Sequence, residues 1–262
     1  MNSKLGFHSL LFILFSFSII SVSNGQNYSL HIKNSEHSCK EYNYFDIGDL
    51  SITGDKLTIE AIIRTISNGE CQFSPHHDVV SKHYDNTDVN YLLRPGYATI
   101  NTENGFYQTK PLTVTNNECH HIAMVYDGLF LRFYLDDFMD SVRATGNLIT
   151  NNYNTLIGYT AGFNPNWYTQ YFGYIDEVRF WNVARTKKQI KENAYTSIAD
   201  PVNHDGLKAY FDFQTGYQNK AGNEIHNGVK KGNCALDVDT ASCTVNHSPD
   251  KLNKIIMYPN LI

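Results

Sequence analysis

The chain lacks the signatures of the common catalytic scaffolds. It has no Gly-x-Ser-x-Gly nucleophile elbow, no phosphate-cradling Gly-rich loop and no His-Glu-x-x-His helix. Charge is sparse, at 18% of residues, and the net charge of −5 leaves no basic excess. That balance argues against nucleic acid or an anionic membrane surface as partner. No apolar run reaches the roughly 18 residues that a membrane helix needs, so no transmembrane segment is expected in the mature chain. No repeat of solenoid length is present either.

The longest apolar run, Leu10 to Ile20, follows Lys4 and precedes the small residues of Ser23-Asn24-Gly25. That order predicts a signal peptide over residues 1–25, cleaved before Gln26. About 237 residues then remain, enough for one large domain with a sizeable core. All five cysteines lie in this exported part, where an oxidising compartment favours pairing. Cys234 and Cys243 are close enough in sequence to staple a hairpin or loop, and are expected to pair. Two of Cys39, Cys71 and Cys119 are expected to form a second bridge, leaving one thiol free or joined to another chain.

Aromatics are plentiful, with 18 Tyr and 15 Phe, and the patterning is that of strands. Leu57, Ile59, Ala61 and Ile63 alternate with Thr58, Glu60, Ile62 and Arg64, which predicts a half-buried strand. The run from Ile122 to Tyr126, then Asp127-Gly128, then Leu129 to Leu135 predicts a hairpin closed by a type I′ turn. A second turn at Asp136-Asp137 leads into Met139 to Val142. Further strands are expected at 28–32, 44–47, 78–81, 91–93, 156–159 and 207–213. Thr186 with Gln189 three residues on is a capping box, predicting a helix from there toward Tyr195. Polar residues crowd in after Asn233, so the domain is placed at 26–244 and a linker or tail at 245–262.

The most informative passage is Gly173-Tyr-Ile-Asp-Glu-Val-Arg-Phe-Trp-Asn182, a strand leading into that helix. It resembles the signature of laminin-G-like jelly-roll domains in the concanavalin A-like lectin/glucanase superfamily. Three further stretches match that family in order: Lys56-Leu-Thr-Ile-Glu-Ala61, His120-His-Ile-Ala-Met-Val-Tyr-Asp-Gly128 and Leu207-Lys-Ala-Tyr-Phe-Asp-Phe213. Together they cover most of residues 28–232. The resemblance implies an all-β jelly-roll sandwich of two antiparallel sheets with one short helix. It also implies an extracellular domain that binds a ligand, a glycan first or an extracellular protein otherwise, rather than an enzyme. Cys119 stands where the family usually has Trp, which suggests a disulfide to Cys39 or Cys71.

The resemblance implies a structural calcium ion, with the strand carboxylate Asp176 as its ligand, though Ile32-Lys33-Asn34 replaces the Phe-Asp-Gly that often frames such sites. Asp85 and Asp88 form a second oxygen-rich cluster, without the acidic ladder of an EF-hand loop. Cys71 with His76-His77-Asp78, and Cys119 with His120-His121, invite a zinc reading. Adjacent strand residues point to opposite faces, however, so neither His pair readily grips one ion.

Glycoside hydrolysis needs two carboxylates flanking the scissile bond. Asp176 and Glu177 are adjacent, so strand alternation puts them on opposite faces, and the Glu-x-Asp-x-x-Glu motif of the laminarinase-like branch is missing. No catalytic residue is assigned. The loop Ala161 to Phe172 is the best recognition candidate. Trp167, Tyr168 and Tyr171 could stack on sugar faces while Asn164, Asn166 and Gln170 bond hydroxyls; the alternative is that these rings fold back over the sheet.

The final residues, Lys254-Ile-Ile-Met-Tyr-Pro-Asn-Leu-Ile262, resemble the opening of the C-terminal sorting domain of type IX secretion in Bacteroidota, with Leu261 in place of the second Pro. That resemblance implies a secreted or cell-surface protein of which this sequence is a part.

Overall fold

The computed structural model describes residues 28–33, 42–66, 77–160, 170–232, 234–238 and 243. The strands in the first half are β1 (Tyr28–Ile32), β2 (Tyr44–Asp46), β3 (Leu57–Thr65), β4 (Val80–Lys82), β5 (Tyr91–Leu93), β6 (Ala98–Thr102) and β7 (Gly105–Gln108). Those in the second half are β8 (His120–Tyr126), β9 (Phe130–Leu135), β10 (Phe138–Arg143), β11 (Leu156–Ile157), β12 (Gly173–Trp181), β13 (Leu207–Phe211), β14 (Val229–Lys231) and β15 (Cys234–Val238). They form two antiparallel sheets, as expected from the sequence. The larger runs β10-β9-β8-β3-β12-β1-β15, with β13 also paired to β12; the smaller runs β14-β2-β11-β4-β5-β6-β7.

The two sheets face each other across one apolar core. Ile59, Ala61 and Ile63 of β3 and Ile175, Val178 and Phe180 of β12 meet Phe45, Val80, Leu93 and Ile157 of the smaller sheet. The long strand β12 is central: it pairs with β3 along one edge, and with β1 and then β13 along the other. Its leading glycine is required twice over. Gly173 has a φ of +136°, and a Cβ there would lie 2.1 Å from the Arg64 carbonyl oxygen.

β3 departs from the half-buried strand that its alternation predicts, since both of its faces are buried. The helix α1 (Lys187–Asn193) and its flanking turns cover the outer face. Both halves of the capping box are formed: Gln189 N–H donates to Thr186 Oγ1 at 3.2 Å, and Thr186 N–H donates to Gln189 Oε1 at 2.9 Å. Ile190, the buried helix residue, packs on Ala123, Val125 and Tyr134 of the outer face.

The β8–β9 hairpin forms where expected, but its turn is not type I′. Only Gly128 has positive φ, at +86°, and it is the first central residue, as a II′ turn demands. Asp127 instead works through its side chain, accepting from Leu129 N–H and Phe130 N–H at 3.0 and 2.8 Å.

The disulfide pattern differs from expectation. Cys243 bonds Cys119 at the foot of β8, not Cys234, with 5.2 Å between their Cα atoms. Cys234 is a free thiol in the core. Proximity in sequence misleads here because Cys234 opens β15, which pairs along β1 and turns that side chain inward. Cys119 therefore has neither Cys39 nor Cys71 as partner; those two lie outside the described residues.

Candidate functional site

The charged residues of the Gly173–Asn182 signature build a clasp under the helix. β12 carries a bulge between Asp176 and Arg179, where Glu177 takes a φ of +52°. The bulge shifts the alternation by one, so Ile175 and Val178 both face the core although they are three apart. Asp176 pairs with Ile62 and Arg179 with Glu60, which places both on the outer face. The two neighbouring acids are therefore not set on opposite faces, as simple alternation implies.

Beneath the helix, Glu60 Oε1 accepts from Trp181 Nε1–H at 3.0 Å and lies 3.2 Å from Arg185 Nε; Glu60 Oε2 lies 3.4 Å from His121 Nε2. Arg179 reaches Glu177 and donates to the carbonyls of Asn193 and Thr196, which fastens the helix and its exit turn to the sheet. Tyr210 O–H donates to Glu177 Oε2 at 2.8 Å. Burial pushes the Glu60 carboxyl up, but His121, Arg179 and Arg185 outweigh it and hold the group below the usual carboxylate range. For Glu177, burial outweighs Arg179 and raises the pKa. Glu60 and Asp176 are almost wholly buried and Glu177 is 3% exposed; such carboxylates brace the fold and do not flank a sugar linkage at the surface.

His120 and His121 serve different carboxylates. His120 Nδ1 sits 2.7 Å from Asp136 Oδ2, whereas His121 lies beside Glu60. Asp136 also accepts from His121 N–H and Tyr195 O–H, at 2.9 and 2.8 Å. Asp176 Oδ1 accepts from Glu177 N–H at 2.8 Å. Asp88 Oδ1 caps Tyr84 N–H and Asp85 N–H, and Asp85 Oδ1 accepts from Thr87, so that cluster is a self-bonded turn. Of the zinc candidates, Cys119 is in a disulfide, His77 Nδ1 meets the Gln170 carbonyl at 2.9 Å, and Asp78 pairs with Arg94; Cys71 and His76 lie outside the described residues. Among the described residues no three His, Cys, Asp or Glu side chains gather as a metal set.

The recognition loop divides. Asn164, Asn166, Trp167 and Tyr168 lie outside the described residues. Gln170 and Tyr171 do not serve as contacts, because both are buried. Tyr171 belongs to the core, and its N–H closes the base of the loop onto the Gly158 carbonyl at 2.9 Å. Gln170 is a tie: its Oε1 accepts from Asn43 N–H at 2.8 Å, and its Nε2 donates to the carbonyls of Asn43 and Gly158. A buried amide is fully used by such a role, since every polar atom left unpaired there costs free energy.

What Gln170 ties together is an aromatic cluster that the sequence reading missed. Phe45 of β2 faces the core, so Tyr44 projects from the opposite, outer face of the smaller sheet. Its ring stacks on Tyr159 with centroids 5.3 Å apart, and Tyr42 packs edge-on to Tyr159 at 5.7 Å. Tyr42 is 60% exposed, and Tyr44 and Tyr159 are half-buried. Burial, with Tyr42 and Tyr44 adding to it, pushes the Tyr159 phenol up to about 12. Tyr159 and Thr160 lead directly into the 161–169 segment, and Thr160 is anchored on Asp78. The only sequence signal for the cluster is the spacing Tyr42-x-Tyr44, which alternation places on one face.

The fold and these contacts agree with what the chain resembles. Residues 40–191 match the Laminin_G_3 family of the concanavalin A-like lectin/glucanases superfamily. No curated protein matches the chain. Among solved structures, a protein from Bacteroides ovatus ATCC 8483 described as a candidate carbohydrate binding protein superposes with a TM-score of 0.60 at 19% identity, over 82% of this chain and 60% of that one. The chain thus spans about three fifths of that relative's length. A heptameric SAP-like pentraxin from Limulus polyphemus superposes with a TM-score of 0.54 at 11% identity, over 82% of this chain and 97% of that one. At such identities these two structures bear on the fold alone. With more than half of its length matched by the family model, the chain belongs to the Laminin_G_3 family of concanavalin A-like jelly-roll domains.

Proposed function

We propose that this protein is a secreted or cell-surface, non-catalytic domain that binds glycan through the outer face of its smaller sheet. The observation that carries the reading is the Tyr42–Tyr159–Tyr44 cluster, whose Tyr159 shortly precedes Asn164, Asn166, Trp167 and Tyr168 in the sequence. Aromatic rings held by packing offer flat apolar faces to the C–H side of a sugar ring, and amides beside them bond its hydroxyls. The Bacteroides ovatus relative lends support by its description. A disulfide between Cys119 and Cys243 accords with export, as does the apolar leader. No helix among the described residues is long and apolar enough to cross a membrane.

A protein partner is the second reading, and the β9–β10 hairpin favours it, since Phe138 and Met139 are exposed there. A structural calcium ion at Asp176 is a subsidiary proposal that rests on the resemblance. The test is a glycan array probed with the full-length chain in calcium and again in chelator. Binding that weakens on Trp167→Ala supports the reading, and loss in chelator implicates the ion. No binding in either condition refutes it and turns the search to protein partners.

A further inference from the structure

A second aromatic pair lies at the other end of the same ladder. β4 and β11 pair with Ser81 opposite Leu156 and Val80 opposite Ile157. Extended past the strand ends, that register sets Tyr159 opposite Asp78 at one end and Tyr153 opposite Tyr84 at the other. Tyr153 and Tyr159 lie six positions apart in the chain, on either side of β11 (Leu156–Ile157). The rings of Tyr84 and Tyr153 stack at 5.5 Å with planes 20° apart, and both are exposed, at 40% and 43%.

This pair is fixed from beneath. Lys82 is fully buried, and its Nζ donates to Asp49 Oδ1 at 2.6 Å, to the Asn151 carbonyl at 3.1 Å and to the Tyr153 carbonyl. Asn151 in turn donates from its Nδ2 to the carbonyls of Lys82 and Asp88 and accepts from Tyr153 N–H at 3.0 Å. Asp88 caps the backbone of Tyr84. One buried ammonium and one amide therefore lock both tyrosine-bearing loops, so little ordering entropy is left to lose on binding. The loops that carry the two rings also carry the exposed Asn86 and Asn152 and the partly exposed Asp85 and Asp88.

We infer that Tyr84 and Tyr153 form a second glycan platform, separate from the Tyr159 cluster and selective for neutral sugars. The inference rests on the glycan reading above. Parallel stacked rings present flat faces rather than the box of crossed rings that surrounds a quaternary ammonium. The amides of Asn86 and Asn152 are the groups to bond hydroxyls, while the charges of Asp85 and Asp88 repel sulfated or uronic chains. Lys82, whose ammonium meets the Tyr153 carbonyl, is buried and engaged, and offers an anionic sugar nothing.

The test compares full-length wild type with the double variants Tyr84→Ala/Tyr153→Ala and Tyr84→Phe/Tyr153→Phe, and with Tyr159→Ala. Each is screened on neutral gluco-, manno-, galacto- and xylo-oligosaccharides and titrated with the strongest-binding hexasaccharide, with choline and a sulfated oligosaccharide as competitors. The Ala pair is expected to weaken binding about 3- to 10-fold, while the Phe pair, which keeps both rings, stays within about twofold. Melting temperatures of both pairs should match wild type, and neither competitor should displace the sugar. An Ala pair that binds as wild type, while Tyr159→Ala loses affinity, overturns the second platform and leaves the glycan reading standing. A wild type that binds none of these sugars overturns both. Displacement by choline overturns the neutral-sugar assignment in favour of a cation site.

Discussion

Trp181 Nε1–H donates to Glu60 Oε1 across 3.0 Å, joining two motifs 121 positions apart in the chain under a single helix. The same carboxylate faces Arg185 and His121, and Arg179 adds its charge. Glu60 is thus the negative centre that neutralises two buried guanidinium groups. Glu60→Gln keeps the shape and removes the charge, leaving Arg185 without its carboxylate partner and Arg179 with Glu177 alone. Chemical denaturation should show a loss of about 3–5 kcal/mol; a loss under about 1 kcal/mol would mean that the helix clasp is held by packing instead.

The cysteines give a covalent test. Peptide mapping without reduction should recover Cys119 joined to Cys243, with Cys234 alkylated only after unfolding, because burial both shields that thiol and pushes its pKa up. Cys119→Ser with Cys243→Ser should lower stability by about 2–4 kcal/mol. A peptide joining Cys234 to Cys243 would contradict the fold at its C-terminal strand.

His120 and Asp136 carry a pH dependence of known sign. The hydrogen bond to Asp136 raises the His120 pKa above its usual value despite burial. A raised pKa adds stability that is full below the unfolded-state value of about 6.5 and disappears as pH rises through the folded value. Wild type should therefore exceed His120→Asn in melting temperature by more at pH 5.5 than at pH 8.5. An equal gap at both values would show that the pair contributes by shape alone.

Gln170 separates tie from contact. If it only fixes Asn43 against Gly158, Gln170→Ala should cost about 1–3 kcal/mol by removing buried hydrogen bonds to the Asn43 backbone, and should weaken sugar binding through the displaced tyrosines. Unchanged stability with lost binding would restore Gln170 to direct contact.

Much of the fold was legible because alternation, the capping box and the Gly173–Asn182 signature all point to one architecture. The misses share a cause: each depended on what packs against a strand rather than on the strand itself. β3 reads as half-buried until the segment leading into α1, with Val183 and Arg185, closes over Thr58 and Glu60, and the acids of β12 read as opposed until the bulge at Glu177 resets the phase. Cys243 finds Cys119 only through the three-dimensional path of β15. At the site, Gln170 and Tyr171 look like loop contacts by composition, yet the strand-like pairing at the loop's base turns them inward. The tyrosines of the surface cluster are scattered over residues 42, 44 and 159, and the Tyr42-x-Tyr44 spacing links only two of them.

The central claim is that the tyrosine cluster on the outer face of the smaller sheet binds glycan, and Tyr42 is its most exposed member. Calorimetric titration of full-length wild type and Tyr42→Ala with the strongest-binding neutral oligosaccharide tests it most directly. Affinity should fall about 3- to 10-fold at an unchanged melting temperature. Equal affinity in the two proteins would contradict the account.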